Sequence, residues 1–305
     1  MKSNSEIEKI VNDFNHGKIK DAFFQIADLI KKQPDNLEFL NLYAKMCNQV
    51  GRLDESEKVS LFLLTKNRNS LEYLQNLHSI YLKKNNLSKS EPLLKKILQI
   101  DNKNYAALRD LGYIEYSKGN IESAYEILKK IITKKTTDPF ALNIFGLVFL
   151  KKNLFKDAIN IFNQAITHNP KYIDSYNNLG KAYYDLEDLD RAFIFFKKAY
   201  KINNNNSKTL INIGNFLSLR DKNLFSIKAY KKALLNEPHN IEIYSNISLA
   251  YARNRDFKNA NKFYGLAQQN NSVSPSLNLS MAYLHMYNNN FERAWDFFES
   301  RKHTP

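Results

Sequence analysis

The chain has 305 residues, of which 45 are Lys or Arg and 31 are Asp or Glu, so its formal net charge is +14 at pH 7. Its one cysteine, Cys47, excludes a fold held together by disulfide bonds and fits a reducing compartment. The first residues, MKSNSEIEKI, lack the apolar core of a secretory signal, and no apolar run approaches the ~20 residues of a membrane helix, so we expect a cytoplasmic protein without a membrane span.

A 34-residue period runs through the chain without insertion or deletion. Position 20 of this period is Ala or Ser in every repeat, position 8 is mostly small, and positions 7 and 24 are mostly large and apolar. A period of this length is typical of helical hairpins stacked side by side. The nine repeats begin near Ser3, Leu37, Leu71, Tyr105, Pro139, Ile173, Ser207, Ile241 and Pro275.

Each repeat is predicted to form two helices. Positions 4, 7, 8 and 11 recur at helical spacing and predict a first helix, and positions 20, 24 and 27 predict a second. Small residues at positions 8 and 20 would let the two helix backbones approach closely. Position 15 supplies the turn, where Gly, Asn and Asp tolerate left-handed dihedral angles and Glu187 and Arg255 are exceptions.

The first repeat matches this pattern least well, because Glu6 and Lys9 occupy apolar positions, and the central repeats match it best. The fifth repeat carries it in Phe145, Gly146, Phe149, Ala158, Phe162, Ala165 and Pro170, and the sixth in Leu179, Gly180, Tyr183, Ala192, Phe196 and Ala199. These residues resemble the tetratricopeptide repeat (TPR), and the resemblance covers essentially the whole chain. It implies an all-α, right-handed superhelical solenoid of nine repeats, a single domain over residues 1–305, with a concave groove lined by the first helices.

In the TPR family the groove is lined by positions 2, 5, 6, 9, 12 and 13, which here carry seven basic and seven acidic residues. The groove is therefore not an electrostatic funnel for nucleic acid, which we consider an unlikely ligand. The excess of lysine lies at positions 25 and 26, on second helices, where we interpret it as a solvated face. Contact with an acidic partner, nucleic acid or an anionic membrane is the alternative. These lysines are Lys95, Lys96, Lys129, Lys130, Lys197, Lys198, Lys231 and Lys232.

The residues that catalysis or cofactor binding would require are not grouped in this sequence. The eight glycines form no phosphate-binding loop, and the six histidines show no metal-ligand spacing. The sequence gives no reason to pair a Ser or Cys nucleophile with a catalytic His base. We therefore expect a protein that is not an enzyme and that holds no cofactor or metal.

Position 6 is rich in asparagine, which can both donate to and accept from the main chain of an extended peptide. The pattern is similar to the asparagine ladder in the TPR domain of O-GlcNAc transferases, and Asn178-Leu179-Gly180 and Asn212-Ile213-Gly214 carry the match. The resemblance implies peptide binding. Bridging between first helices of neighbouring repeats is the alternative, which the sequence leaves open. The predicted ladder consists of Asn76, Asp110, Asn178, Asn212 and Asn246.

Apolar and aromatic residues also occupy groove positions in repeats four to six. We expect them to form an anchor for a helical or extended partner segment. The lysine and asparagine pattern of the chaperone-binding two-carboxylate clamp is not present there. The predicted anchor consists of Tyr113, Tyr116, Phe140, Leu147 and Tyr184, with Leu150 beside them.

The last repeat resembles the closing repeat of bacterial TPR proteins that continue into a glycosyltransferase domain. Asn290-Phe291, Ala294-Trp295, Phe298-Glu299 and Arg301 carry this resemblance. We expect Phe291, Trp295 and Phe298 to leave an uncovered aromatic surface that docks a second copy, a separate partner or a downstream domain.

The sequence as a whole favours a non-catalytic scaffold that binds a peptide or protein segment in its concave groove. One alternative is a substrate-recruiting TPR module of a glycosyltransferase whose catalytic domain lies outside this chain. The other alternative is a nucleic-acid-binding helical repeat, for which only the net charge argues.

Overall fold

A computed structural model describes residues 2–132, 136–268 and 275–299, and the side chains of residues 6–132, 136–268 and 277–299. These residues form eighteen α-helices, and no β-strand occurs within them. The chain divides into two compact units, Met1–Thr136 and Thr137–Pro305. A single array over residues 1–305 stays a prediction.

The first unit contains four helical hairpins, in which each helix packs against the next along the chain. Its helices are α1 (Lys2–Asn15), α2 (Ile19–Lys32), α3 (Leu37–Gln49), α4 (Leu53–Lys66), α5 (Leu71–Lys83), α6 (Leu87–Ile100), α7 (Tyr105–Ser117) and α8 (Ile121–Ile132).

The second unit contains five hairpins with the same order of contacts. Its helices are α9 (Pro139–Lys151), α10 (Phe155–His168), α11 (Ile173–Asp185), α12 (Leu189–Ile202), α13 (Ser207–Leu219), α14 (Asn223–Asn236), α15 (Ile241–Arg253), α16 (Phe257–Gln268), α17 (Pro275–Tyr287) and α18 (Phe291–Glu299). From α3 onward, every first helix begins at the predicted first residue of a repeat. The prediction of an all-α helical repeat fold is confirmed.

Backbone geometry explains where these helices begin and turn. Position 15 has a positive φ in all nine repeats, including Glu187 (62°) and Arg255 (60°), whose side chains do not favour it. The residue before a first helix, position 34, caps α3, α5, α7, α9, α13 and α15 but not α11, where it is Tyr172. The side chain of Asn36, for example, accepts from the backbone N–H of Glu38 and of Phe39. The 34-residue pattern predicts the turns but not the caps.

Inside a hairpin, the small residue at position 8 makes room for the large side chain at position 24. A Cβ atom added to Gly146 would lie 2.4 Å from the ring of Phe162, and one added to Gly180 would lie 2.4 Å from the ring of Phe196. Positions 8 and 20 are also close, as predicted, because the Ser56 hydroxyl donates to the backbone oxygen of Ala44 at 2.6 Å.

None of the helices in the described ranges is both long and apolar enough to cross a membrane.

Candidate functional site

A chain of polar side chains joins the first helices of neighbouring repeats in the second unit. Asn178 on α11 donates from Nδ2 to Asn143 Oδ1 on α9 at 2.8 Å, and its own Oδ1 accepts from Lys208 Nζ on α13 at 2.9 Å. Asn212 on α13 makes the equivalent, longer contact with Asn177 Oδ1 on α11, at 3.4 Å. In this unit, Asn143 and Asn177 at position 5 thus each contact the asparagine at position 6 of the next repeat.

This network corrects one expectation from the sequence. The ladder requires side-chain amides that face solvent, but Asn178 is only 3% exposed. Its carboxamide is held between α9 and α13 because both of its polar atoms have partners on those helices. Asn212 and Asn246 are half-buried, and Asn246 donates to Asn215 Oδ1 across 3.5 Å. Asn178 therefore bridges first helices of neighbouring repeats, which was the alternative interpretation of position 6.

The first unit shows the same behaviour at position 6. Asn76 is buried, donates from Nδ2 to Ser60 Oγ at 2.9 Å and accepts from Asn48 Nδ2 at 2.9 Å. Asp110 is also buried, with His78 Nε2 3.0 Å from Oδ2 and Arg109 Nε 2.7 Å from Oδ1.

The charge of Asp110 is stabilised by these neighbours. Burial alone would raise the pKa of this carboxyl group, but hydrogen bonds from His78 and Arg109, together with their charges, outweigh it and hold the pKa below its usual value. The other ring nitrogen of His78, Nδ1, lies 2.7 Å from Ser90 Oγ. Asp110 is therefore part of a closed network, with little capacity left to bind a peptide.

A cavity of about 460 Å³ opens among α11, α13 and the start of α15 in the second unit. Two basic residues, two acidic residues and two asparagine amides surround a partly apolar wall. The lining residues are Lys181, Tyr184, Phe196, Lys208, Ile211, Asn212, Asn215, Glu237 and Glu242. The wall thus offers donors, acceptors and charges of both signs.

Lys208 links the cavity to the asparagine network. Partial desolvation by the surrounding residues lowers the pKa of its ammonium group, and the Asp174 carboxylate, 4.0 Å from Nζ, offsets part of that shift. Burial, with the nearby charge of Asp185, raises the pKa of Tyr184. Lys181 forms an ion pair with Asp185. Tyr184 therefore keeps a neutral hydroxyl, and the Lys181 ammonium group lies 5.1 Å from the centroid of its ring.

The cavity contains only some of the residues that the sequence singles out. Tyr184 and Asn212 line it, Asn178 lies behind Lys208, and Asn246 is outside the lining. Leu147 packs against the buried cluster of Ala158, Phe162, Leu179 and Ala182, which suits a structural role.

The remaining predicted anchor residues belong to different units. Tyr113 and Tyr116 are half-buried on α7 of the first unit, and Phe140 is exposed on α9 of the second. A joint patch therefore stays a prediction. Asn143 and Asn177 were not predicted as site residues, although the pairing of Asn at position 5 with Asn 35 residues later could have indicated them.

The aromatic side chains of α18 are only partly uncovered. Trp295 is 64% exposed and Phe291 is similarly exposed, but Phe298 is half-buried with its ring 5.9 Å from that of Tyr283. The expectation that all three project freely is wrong for Phe298, because α17 covers it. Arg301 lies outside the described residues. Among the residues that the structure describes, no group of His, Cys, Asp and Glu side chains is arranged to hold a metal ion.

Comparison with family models identifies the repeat. A "TPR repeat" model matches residues 146–187, and two "Tetratricopeptide repeat" models match residues 173–206 and 81–141. No curated protein matches the chain.

Solved structures share the fold at low sequence identity. A tetratricopeptide repeat protein from Parabacteroides merdae is 18% identical, with a TM-score of 0.59 over 76% of this chain and 92% of that one. The APC/C hetero-tetramer Cut9-Hcn1 is 14% identical, with a TM-score of 0.68 over 94% of this chain and 54% of that one. PilF from Pseudomonas aeruginosa is 18% identical, with a TM-score of 0.55 over 66% of this chain and 92% of that one.

Proposed function

Because this chain is a tetratricopeptide repeat protein, we propose that it acts as a protein-interaction scaffold and binds an extended peptide segment in the cavity of the second unit. The observation that carries the proposal is the lining of that cavity, where Lys208, Asn212 and Glu242 provide three kinds of polar group. An extended segment needs donors and acceptors for its main chain and apolar wall for its side chains.

The position of Lys208 supports this proposal. Its Nζ is held by Asn178 at 2.9 Å, so the charge is oriented before a ligand arrives. A side chain that is already ordered loses less conformational entropy on binding. Glu242, exposed on the first turn of α15, provides the opposite charge on the cavity wall. A segment carrying charges of both signs therefore fits better than a uniformly acidic or basic one.

Selection from a random peptide library on the full chain tests the proposal, because it requires no known partner. We expect enriched peptides to lose at least about tenfold in affinity for Glu242→Lys, since a like-charge contact in the cavity is unfavourable. Asp157→Lys is the matched control, because Asp157 is also an exposed acid in the first turn of a helix but is not in the cavity. If no peptide is enriched, or if both variants bind equally well, the proposal is wrong.

The role we propose is non-catalytic. Recruitment of substrates for a glycosyltransferase rests on the resemblance of the last repeat, and the selected peptides would test it as well. Peptides that also serve as acceptors for a glycosyltransferase from the same source would favour that narrower role over a general scaffold.

A further inference from the structure

The outward face of two second helices in the second unit is strongly basic. Together α12 and α14 carry seven Lys or Arg residues and a single acid, Asp190. We name the outward lysines of these helices the basic face. It consists of Lys197, Lys198, Lys201, Lys228, Lys231 and Lys232, of which the last is half-buried and the others are exposed.

Most of the charge of the basic face is not compensated, although the Lys231 ammonium group donates to the Tyr251 hydroxyl at 2.8 Å and helps to lower the pKa of Asp256. Within the described part of the chain, none of its six lysines forms a salt bridge, and Asp190 is paired with Arg220 at 2.9 Å. Several ammonium groups lie over aromatic rings instead, Lys198 at 4.9 Å from the centroid of Phe195 and Lys232 of α14 at 5.3 Å from that of Tyr200 on α12. These contacts leave each positive charge intact.

Second helices of the first unit differ in this respect. Lys95 on α6 is paired with Glu91, and Lys129 and Lys130 on α8 share their helix with two glutamates. A solvated face, as the sequence analysis interprets these lysines, fits the first unit. It leaves unexplained why the six lysines of α12 and α14 have no salt-bridge partner, whereas Arg191 of α12 is paired with Asp188.

Large apolar side chains emerge among the unpaired lysines. Leu235 is 82% exposed and Phe225 is 61% exposed, and Ile194 and Leu224 are also exposed on the same two helices. Aliphatic side chains donate no hydrogen bond to a phosphate or a base edge. They do enter the boundary between lipid headgroups and acyl chains when lysines beside them contact anionic headgroups.

We propose that the basic face of α12 and α14 binds the surface of an anionic membrane. The lysines contact lipid phosphate and carboxylate groups, and Leu224, Phe225 and Leu235 enter the headgroup region. The association is peripheral and independent of the peptide cavity. It falls as salt screens the charges.

Flotation of the full chain with lipid vesicles tests this proposal. We expect binding to vesicles of phosphatidylcholine and phosphatidylserine in a two-to-one ratio and none to phosphatidylcholine alone. Removing four charges in Lys197→Gln/Lys198→Gln/Lys231→Gln/Lys232→Gln should weaken binding by about 10²–10³-fold.

The matched control, Lys95→Gln/Lys96→Gln/Lys129→Gln/Lys130→Gln, removes the same number of charges at the same repeat positions of the first unit and should bind nearly as the parent does. Circular dichroism verifies that both quadruple variants fold. If the variant of the basic face does not fold, the double variant Lys231→Gln/Lys232→Gln takes its place.

A second variant distinguishes binding to a membrane from binding to a nucleic acid. Phe225→Ser/Leu235→Ser retains every charge, so it should lose vesicle binding by about tenfold or more but leave binding to a double-stranded oligonucleotide, which rests on phosphate charge, unchanged. The proposal is overturned if the parent does not float with the anionic vesicles, or if the two quadruple variants are equally impaired. It is also overturned if Phe225→Ser/Leu235→Ser floats like the parent.

Discussion

Glycine at position 8 is required by a contact within its own hairpin, and not by backbone conformation. Gly180 lies in the middle of α11 with the Phe196 ring where a Cβ atom would be, whereas Gly265 on α16 has open space around it. Both are helical, so replacing either with alanine brings the same gain in helix propensity. Comparing the two substitutions therefore separates the cost of packing against the Phe196 ring from the gain in helix propensity.

We expect Gly180→Ala to lower the free energy of unfolding by about 1–3 kcal/mol, because the added methyl group displaces the Phe196 ring. Gly265→Ala is the control and should raise it by up to about 1 kcal/mol. Urea denaturation followed by circular dichroism measures both. Equal effects of the two substitutions would show that the ring moves aside without cost.

Asp110 gives the first unit a predictable response to acid. Because its pKa is lowered in the folded protein, its carboxylate stabilises the fold above the ordinary Asp pKa, and this contribution is lost as the pH falls through the folded-state value. We expect Asp110→Asn to lower the free energy of unfolding by about 1–3 kcal/mol near neutral pH. The difference should shrink below about pH 4.

Denaturation of the parent and of Asp110→Asn over a series of pH values measures this difference. The exposed Asp157→Asn serves as control and should change little. A difference between parent and Asp110→Asn that stays constant down to the acid transition would contradict the role assigned to the network of His78 and Arg109.

At the scale of the helices, asparagine couples each first helix to its neighbour. The contact between Asn143 and Asn178 is buried, so its energy should appear as a coupling in a double-mutant cycle. We expect Asn143→Ala and Asn178→Ala to be non-additive by about 0.5–3 kcal/mol. Asn143→Ala combined with Asn246→Ala, whose residues share no hydrogen-bond partner, should be additive. Additivity in both pairs would mean that the contact contributes nothing.

The order and boundaries of the helices follow from the sequence, whereas the direction of the asparagine side chains does not. Position 15 predicts each turn because few residue types tolerate its backbone, and Ala192 at position 20 is fully buried as expected. Position 6, however, lies at the edge between groove and neighbouring helix. Whether Asn178 faces one or the other depends on Asn143, 35 residues away, which helical periodicity alone does not bring into contact.

At the scale of the whole molecule, the exposed aromatic side chains of α18 predict association. Trp295 is the one tryptophan of the chain and is 64% exposed, so its fluorescence reports whether α18 becomes covered. Of the occupants predicted for this surface, a second copy is the one that the purified protein alone can reveal. We expect the emission to shift to shorter wavelength as the concentration rises, together with an increase in mass.

Light scattering of the parent and of Trp295→Ala measures the mass. Phe225→Ala, which removes a comparably exposed aromatic side chain from α14, serves as control and should associate as the parent does. A monomer of unchanged emission at every concentration would contradict docking of a second copy at α18.

The pairing of Gly146 with Phe162 also bears on how such a chain changes length. Both members of the pair lie within one 34-residue repeat, as do Gly180 with Phe196 and Gly214 with Tyr230. A duplication of the DNA that encodes one whole repeat therefore copies the glycine and its aromatic partner together. The new hairpin arrives with its internal packing already matched, and only its contacts with adjacent hairpins remain for selection to refine.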